Sequence, residues 1–169
     1  MKILFSIILL ISLSYGDIYQ ELAKSNKYTY EQKLTIAKAY RYGEAYDLGY
    51  TMAAICIVES RAGDCMINLK DPSFGPYHNL LSSVMKRKGL RNTSANKNMI
   101  AHKLITDFGF ASEMALRELL WWENIHKGKS GAWSKMVMSY NAGCNYQNGK
   151  NYLKKIKKII KNLQGNKGK

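Results

Sequence analysis

The sequence predicts a mainly α-helical fold, and three observations predict it. Apolar residues recur at helical spacing through several stretches, only 2 Pro occur in 169 residues, and no segment sustains the alternation of a sandwich or barrel strand. Thr29 followed by Gln32 has capping-box spacing and opens a first helix over Tyr30 to Tyr42, closed by Gly43. A second is expected from about Ala45 to Ser60, where Leu48, Met52, Ile55 and Cys56 share one face. The segment from Gly63 to Pro76 is rich in Gly, Asp, Asn and Ser and reads as turns. Leu80 to Lys88 forms a short helix stopped by Gly89, and Arg91 to Asn98 a polar loop. Met99 to Phe108 and Ser112 to His126 read as two helices divided near Gly109; after a linker at Gly128 to Gly131 comes a helix over Ala132 to Asn141. A last helix carries the apolar stripe Tyr152, Leu153, Ile156, Ile159, Ile160 and Leu163 opposite Lys154, Lys155, Lys157, Lys158 and Lys161.

Composition narrows the function classes. With 46% hydrophobic and 11% aromatic residues the chain is not of disordered or low-complexity type, and no internal repeat of solenoid or propeller length occurs. Its formal net charge is +14, which attracts polyanions. No nucleic-acid fold signature accompanies that charge.

Lys2, the apolar run Ile3 to Leu13 and Ser14-Tyr15-Gly16 have the layout of a secretory signal peptide spanning residues 1–16. The run is shorter than the ~20 residues of a membrane span, and no Cys follows it to take a lipid. The expectation is an exported, periplasmic or secreted chain with one domain over residues 17–164 and a basic tail at 165–169. Export permits a disulfide, and Cys65 with Cys144 is the expected pair, leaving Cys56 as a free thiol inside an apolar run. His78, His102 and His126 are scattered without metal-ligand spacing, so neither a metal nor another cofactor is expected.

Glu59 stands out. Leu48, Met52, Ile55, Cys56 and Glu59 fall within roughly a 100° arc of one helix, and no charge interrupts Met52 to Val58. A carboxyl at the inner edge of such a helix is costly to ionise and keeps a proton to donate, which is what a general acid requires. The alternative is a helix that ends at Val58, with Glu59 in water.

Three further segments sharpen the choice. Glu59-Ser60 ends the apolar helix, Ser73-Phe74-Gly75-Pro76-Tyr77-His78 follows the turn-rich segment, and Tyr140-Asn141-Ala142-Gly143 closes a later helix. In this order and spacing, over about residues 36–156, they resemble the lytic transglycosylases and goose-type lysozymes, which share a lysozyme-like α fold. The family pattern is Glu-Ser, a Ser-x-Gly-Leu-Met-Gln-like stretch, Ala-Tyr-Asn-Ala-Gly, and a Tyr in the next helix, matched here by Tyr152. The resemblance implies that Glu59 is the catalytic acid and then base. It implies a substrate-binding set of Ser60, Ser73, Gly75, Tyr77, His78, Tyr140, Asn141 and Tyr152. Within that set Ser60 orients nearby groups, Tyr140 hydrogen-bonds near the acid, Asn141 contacts the sugar, and Gly75 serves the backbone of its turn.

The implied reaction cleaves the β-1,4 bond between MurNAc and GlcNAc in peptidoglycan, leaving 1,6-anhydro ends, with peptidoglycan strands as partner and the protein a monomer. Two alternatives stay open: a hydrolytic muramidase with Asp64 or Asp71 positioning water, and a non-catalytic cationic peptidoglycan-binding protein. The chain departs from the pattern at Pro76-Tyr77-His78, where an imidazole replaces the usual terminal amide, and at Ser139, which replaces an Ala. Trp121, Trp122, Trp133, Tyr77 and Tyr146 are the rings able to stack on sugars, and the Lys-rich last helix is a solvated face that also favours an anionic envelope.

Overall fold

A computed structural model describes residues 16–165. The signal-peptide expectation for 1–16, Gly16 aside, and residues 166–169 of the tail lie outside the described residues. The chain is mainly helical: α1 (Gly16–Lys24), α2 (Tyr30–Glu44), α3 (Gly49–Ser60), α4 (Leu81–Arg87), α5 (Ser94–Thr106), α6 (Phe108–His126), α7 (Ala132–Ala142) and α8 (Lys150–Leu163), with a 3₁₀ segment at Gly143–Gly149. Helix α1 is an addition to the elements expected from the sequence.

The expected capping box is formed. Thr29 Oγ1 accepts from the Gln32 N–H at 3.2 Å, and Gln32 Oε1 accepts from the Thr29 N–H at 2.9 Å. The Gln32 amide also donates to the Arg61 carbonyl at 2.9 Å and to Asp64 Oδ2 at 2.8 Å. The cap of α2 thereby fixes the turn that leaves α3.

Helix α3 is the centre of the molecule. Thr51 to Cys56 are buried without interruption, because α3 packs against both α2 and α8. It begins at Gly49, later than the spacing predicts, since Asp47 takes a left-handed conformation (φ 57°) that ends the preceding turn. It closes on Arg61 and Ala62, both left-handed, whose N–H groups return to the carbonyls of Ile57 and Cys56 at 3.1 Å.

The turn-rich segment holds two two-residue strands, β1 (Ile67–Asn68) and β2 (Ser73–Phe74), and a third, β3 (Asn79–Leu80), follows it and takes Leu80 from the expected helix; the sheet is antiparallel, with Ile67 opposite Phe74 and Ser73 opposite Leu80. Two boundaries move for capping reasons. The loop expected at Arg91 to Asn98 turns helical at Ser94, because Thr93 accepts from the Asn96 N–H at 3.2 Å. The break expected near Gly109 falls at Asp107, whose Oδ1 accepts from the Phe110 N–H at 2.9 Å. Gly109 lies inside α6 for a packing reason: a Cβ there would sit 2.7 Å from the Tyr42 hydroxyl.

The apolar stripe of α8 is buried or half-buried, with Tyr152, Ile156 and Leu163 innermost, and its six lysines are exposed. Among the described residues no helix is long and apolar enough to cross a membrane. The expected Cys65–Cys144 disulfide is not formed: both thiols are free and exposed, Cys65 on the turn after α3 and Cys144 at the start of the 3₁₀ segment, while Cys56 is free and buried. Burial pushes the Cys56 thiol up to about 12, so it stays protonated and unreactive.

Candidate active site

The end of α3, the small sheet, α4, α6 and the end of α7 enclose a groove of about 430 Å³. Of the residues singled out from the sequence, Glu59, Ser73, His78, Tyr140 and Asn141 line it together. Four others do not reach it, and their assignment to substrate binding is corrected. Ser60 is fully buried, donating toward the Pro76 carbonyl at 2.8 Å and the Cys56 carbonyl at 3.0 Å while accepting from the Gly63 N–H at 2.8 Å. It ties the end of α3 to the loop carrying His78. Tyr77 is also fully buried, its hydroxyl 2.9 Å from Ser112 Oγ. Gly75 is buried at φ 81° against α5, where a Cβ would lie 2.3 Å from the Leu104 carbonyl oxygen. Tyr152 is buried behind the groove.

The Glu59 side chain is 17% exposed. His78 Nδ1 lies 3.5 Å from Glu59 Oε2, and His78 Nε2 lies 2.8 Å from the Cys65 carbonyl oxygen. A carbonyl only accepts, so Nε2 carries a proton in either charge state of the ring. The neutral imidazole therefore presents a bare Nδ1 to the carboxyl, and the cationic ring presents an N–H. The hydrogen bond to Glu59 raises the His78 pKa above its ordinary 6.5; burial opposes the rise, and the Cys65 carbonyl assists it. The carboxyl that the sequence singles out alone thus has an imidazole facing it.

Two phenols back the carboxyl. The Tyr140 hydroxyl donates to the Tyr77 carbonyl at 3.0 Å. Burial, then the neighbouring Glu59 charge, pushes its pKa well above the usual phenol range. The same two causes in the same order raise Tyr152, whose buried hydroxyl lies within electrostatic reach of Glu59 but closes no hydrogen bond of good geometry. Both phenols stay protonated, and Tyr152 keeps an uncommitted donor beside the carboxyl.

Arg87, Glu118, Asn68 and Asn79 also line the groove and have no local signal in the sequence. Arg87 of α4 pairs with Glu118 of α6, and Glu118 Oε1 also accepts from the Trp122 indole at 2.8 Å. Trp121 is 49% exposed at the rim, edge-on to Trp122 with ring centroids 4.3 Å apart. Asn68 and Asn79 add amides, and the Asn79 amide is anchored on the Ala111 carbonyl at 3.1 Å. Among the other rings considered from the sequence, Trp133 donates to Thr51 at 3.1 Å away from the groove, and Tyr146 packs edge-on against His126. Asp71 lines the groove, whereas Asp64 is engaged by Gln32. Ser139 lies at the groove floor, backed at 2.9 Å by Nε2 of buried His126; burial, then Lys129 and Lys135, lowers that ring's pKa and keeps it neutral.

The assembly contains one partly buried carboxyl coupled to an imidazole, amides and hydroxyls along a groove, and an exposed indole. Such a surface suits a polyhydroxylated chain with a bond to be protonated. Among the described residues no group of three His, Cys, Asp or Glu is placed to hold a metal ion. The chain matches no family model, and no curated protein or solved structure is significantly similar to it.

Proposed function

We propose that this protein is an exported lytic transglycosylase of lysozyme-like fold that cleaves the MurNAc–GlcNAc β-1,4 bond of peptidoglycan. The observation that carries the reading is the position of Glu59: 17% exposed, at the end of the buried α3, and opening on the same groove as Tyr140 and Asn141. In the forward step Glu59 protonates the glycosidic oxygen as its bond to the anomeric carbon breaks. The sugar's own 6-hydroxyl then bonds to that carbon and returns its proton to Glu59, which closes the 1,6-anhydro ring without water. The acid group ends as it began.

One free carboxyl suffices for this route. Glu118 is committed to Arg87 and Trp122, and is poorly placed to act as a second base. Trp121 offers a stacking face for a sugar ring, and the +14 charge favours the anionic cell envelope. Asp71 in the groove wall favours a second reading, a hydrolytic muramidase in which it orients water.

Purified sacculi decide the matter. Wild type is expected to release fragments with ends lighter by one water than reducing ends, and Glu59→Gln to release none. Reducing ends transfer the reaction to the hydrolase. Equal clearance by both proteins removes Glu59 from catalysis, and binding without clearance by either makes the chain a peptidoglycan-binding protein.

A further inference from the structure

The positive charge of the chain is unevenly distributed. Residues 124–169 contain eleven Lys and no Asp or Glu, so they carry +11 of the formal +14. Six of these lysines lie on α8, all exposed and none in an ion pair among the described residues. At 100° per residue Lys150, Lys154, Lys157, Lys158 and Lys161 share roughly a 100° arc and form a row about 17 Å long, with Lys155 to one side. Tyr152, Ile156 and Leu163 occupy the opposite arc and are buried, and Leu153, Ile159 and Ile160 pack against the same core. The helix therefore has no free apolar face to insert into lipid. Shallow hollows at one end of the row hold two acids, Asp47 beside Lys157 and Lys161, and Glu21 beside Lys161; Glu21 is paired with Lys24. No residue of α8 lines the groove, and Tyr152 approaches Glu59 from the inner side of the helix. The lysine row thus faces away from the groove.

We propose that the lysine row of α8 is a docking surface for an anionic phospholipid bilayer, which seats the protein with its groove turned away from the lipid. A row of cations on the convex side of a helix meets a plane of phosphates along its whole length. A single-stranded polyanion is held instead in a charged groove with rings spaced between the cations, and no ring lies between the lysines of this row. Each lysine close to an anionic surface raises partitioning about fivefold. Because the apolar residues of α8 stay in the core, adsorption is electrostatic and reverses with salt. The surface is independent of the chemistry in the groove.

The test is cosedimentation of the protein with vesicles of equal parts phosphatidylglycerol and phosphatidylcholine, and with vesicles of phosphatidylcholine alone. Wild type is expected to bind the anionic vesicles only, and to be released as salt rises from about 0.05 to about 0.5 M. Lys154→Gln with Lys158→Gln and Lys161→Gln should weaken binding about a hundredfold. Lys38→Gln with Lys86→Gln and Lys97→Gln removes the same charge from exposed sites elsewhere, and should keep affinity within about threefold. In wild type a paramagnetic lipid headgroup should broaden the backbone amide resonances of α8 and spare those of Asn68 and Asn141 at the groove. Equal binding to neutral vesicles, equal losses in the two triple variants, broadening at the groove instead of α8, or tighter binding to a single-stranded oligonucleotide than to the anionic vesicles overturns the proposal.

Discussion

Replacing Ser60 by Ala separates a buried brace from a substrate contact. The hydroxyl holds three backbone groups, and their fates on its removal differ. The Cys56 carbonyl keeps the Ala62 N–H at 3.1 Å. The Pro76 carbonyl loses its 2.8 Å donor in a buried position, and the Gly63 N–H loses its 2.8 Å acceptor where water has partial access. One orphaned buried acceptor costs about 1–3 kcal/mol and one partly hydrated donor about 0.5–1.5 kcal/mol, so the expected loss is about 2–3 kcal/mol. For a chain of this size that is a fall in Tm of about 5–10 °C. In urea the midpoint should drop by about 1–1.5 M at unchanged slope. Below the variant's transition, affinity for a bound glycan fragment should stay at the wild-type value, because Ser60 is fully buried. A stability change within about 0.5 kcal/mol together with weakened glycan affinity would refute this reasoning and return Ser60 to the substrate-binding set.

Other substitutions probe the same region. His78→Gln puts an amide in place of the imidazole that faces Glu59: wild-type kcat/KM should bend as pH climbs through the raised His78 value, and the variant should lose that bend. Because the folded-state His78 pKa is raised, the pair's contribution to stability is complete below its ordinary 6.5 and fades as pH climbs through the elevated value, a trend that chemical denaturation at several pH values should show in wild type and lose in the variant. Tyr152→Phe deletes a buried hydroxyl with no hydrogen bond, so stability should hold or rise by up to about 1 kcal/mol while turnover falls, read by thermal melts alongside sacculus clearance. Gly75→Ala forces a Cβ to 2.3 Å from the Leu104 carbonyl at a positive φ, and should cost at least about 3 kcal/mol by denaturant titration.

Local signals carried the fold a long way. The Thr29–Gln32 box, the α8 stripe and the unbroken apolar run of α3 are each written within a few residues, and each element follows. The misplaced boundaries come from competition between similar signals: Gly109 is the more conspicuous breaker, yet the Asp107 side chain captures the helix start and Gly109 answers to Tyr42. The small sheet leaves no mark in the sequence because strands of two residues show no alternation. In the groove, Glu59, His78, Tyr140 and Asn141 were nameable because short motifs carry them. Burial of Ser60, Tyr77 and Tyr152 was not, since a motif gives residue types without the direction each faces. The Arg87–Glu118 pair spans α4 and α6, and nothing near either residue names the other.

Arg61, Ala62 and His78 hold φ values of 53°, 58° and 45°, a conformation that costs a side-chain-bearing residue roughly 1–2 kcal/mol. All three lie in the short stretch between the acid helix and the imidazole that faces it. Among the described residues Asp47, ahead of α3, is the one other side-chain-bearing residue at positive φ, so the strain is concentrated at this corner and warming should slacken it ahead of the helices. Catalytic competence would then vanish some degrees before the helices melt, and cooling from that interval should bring it back.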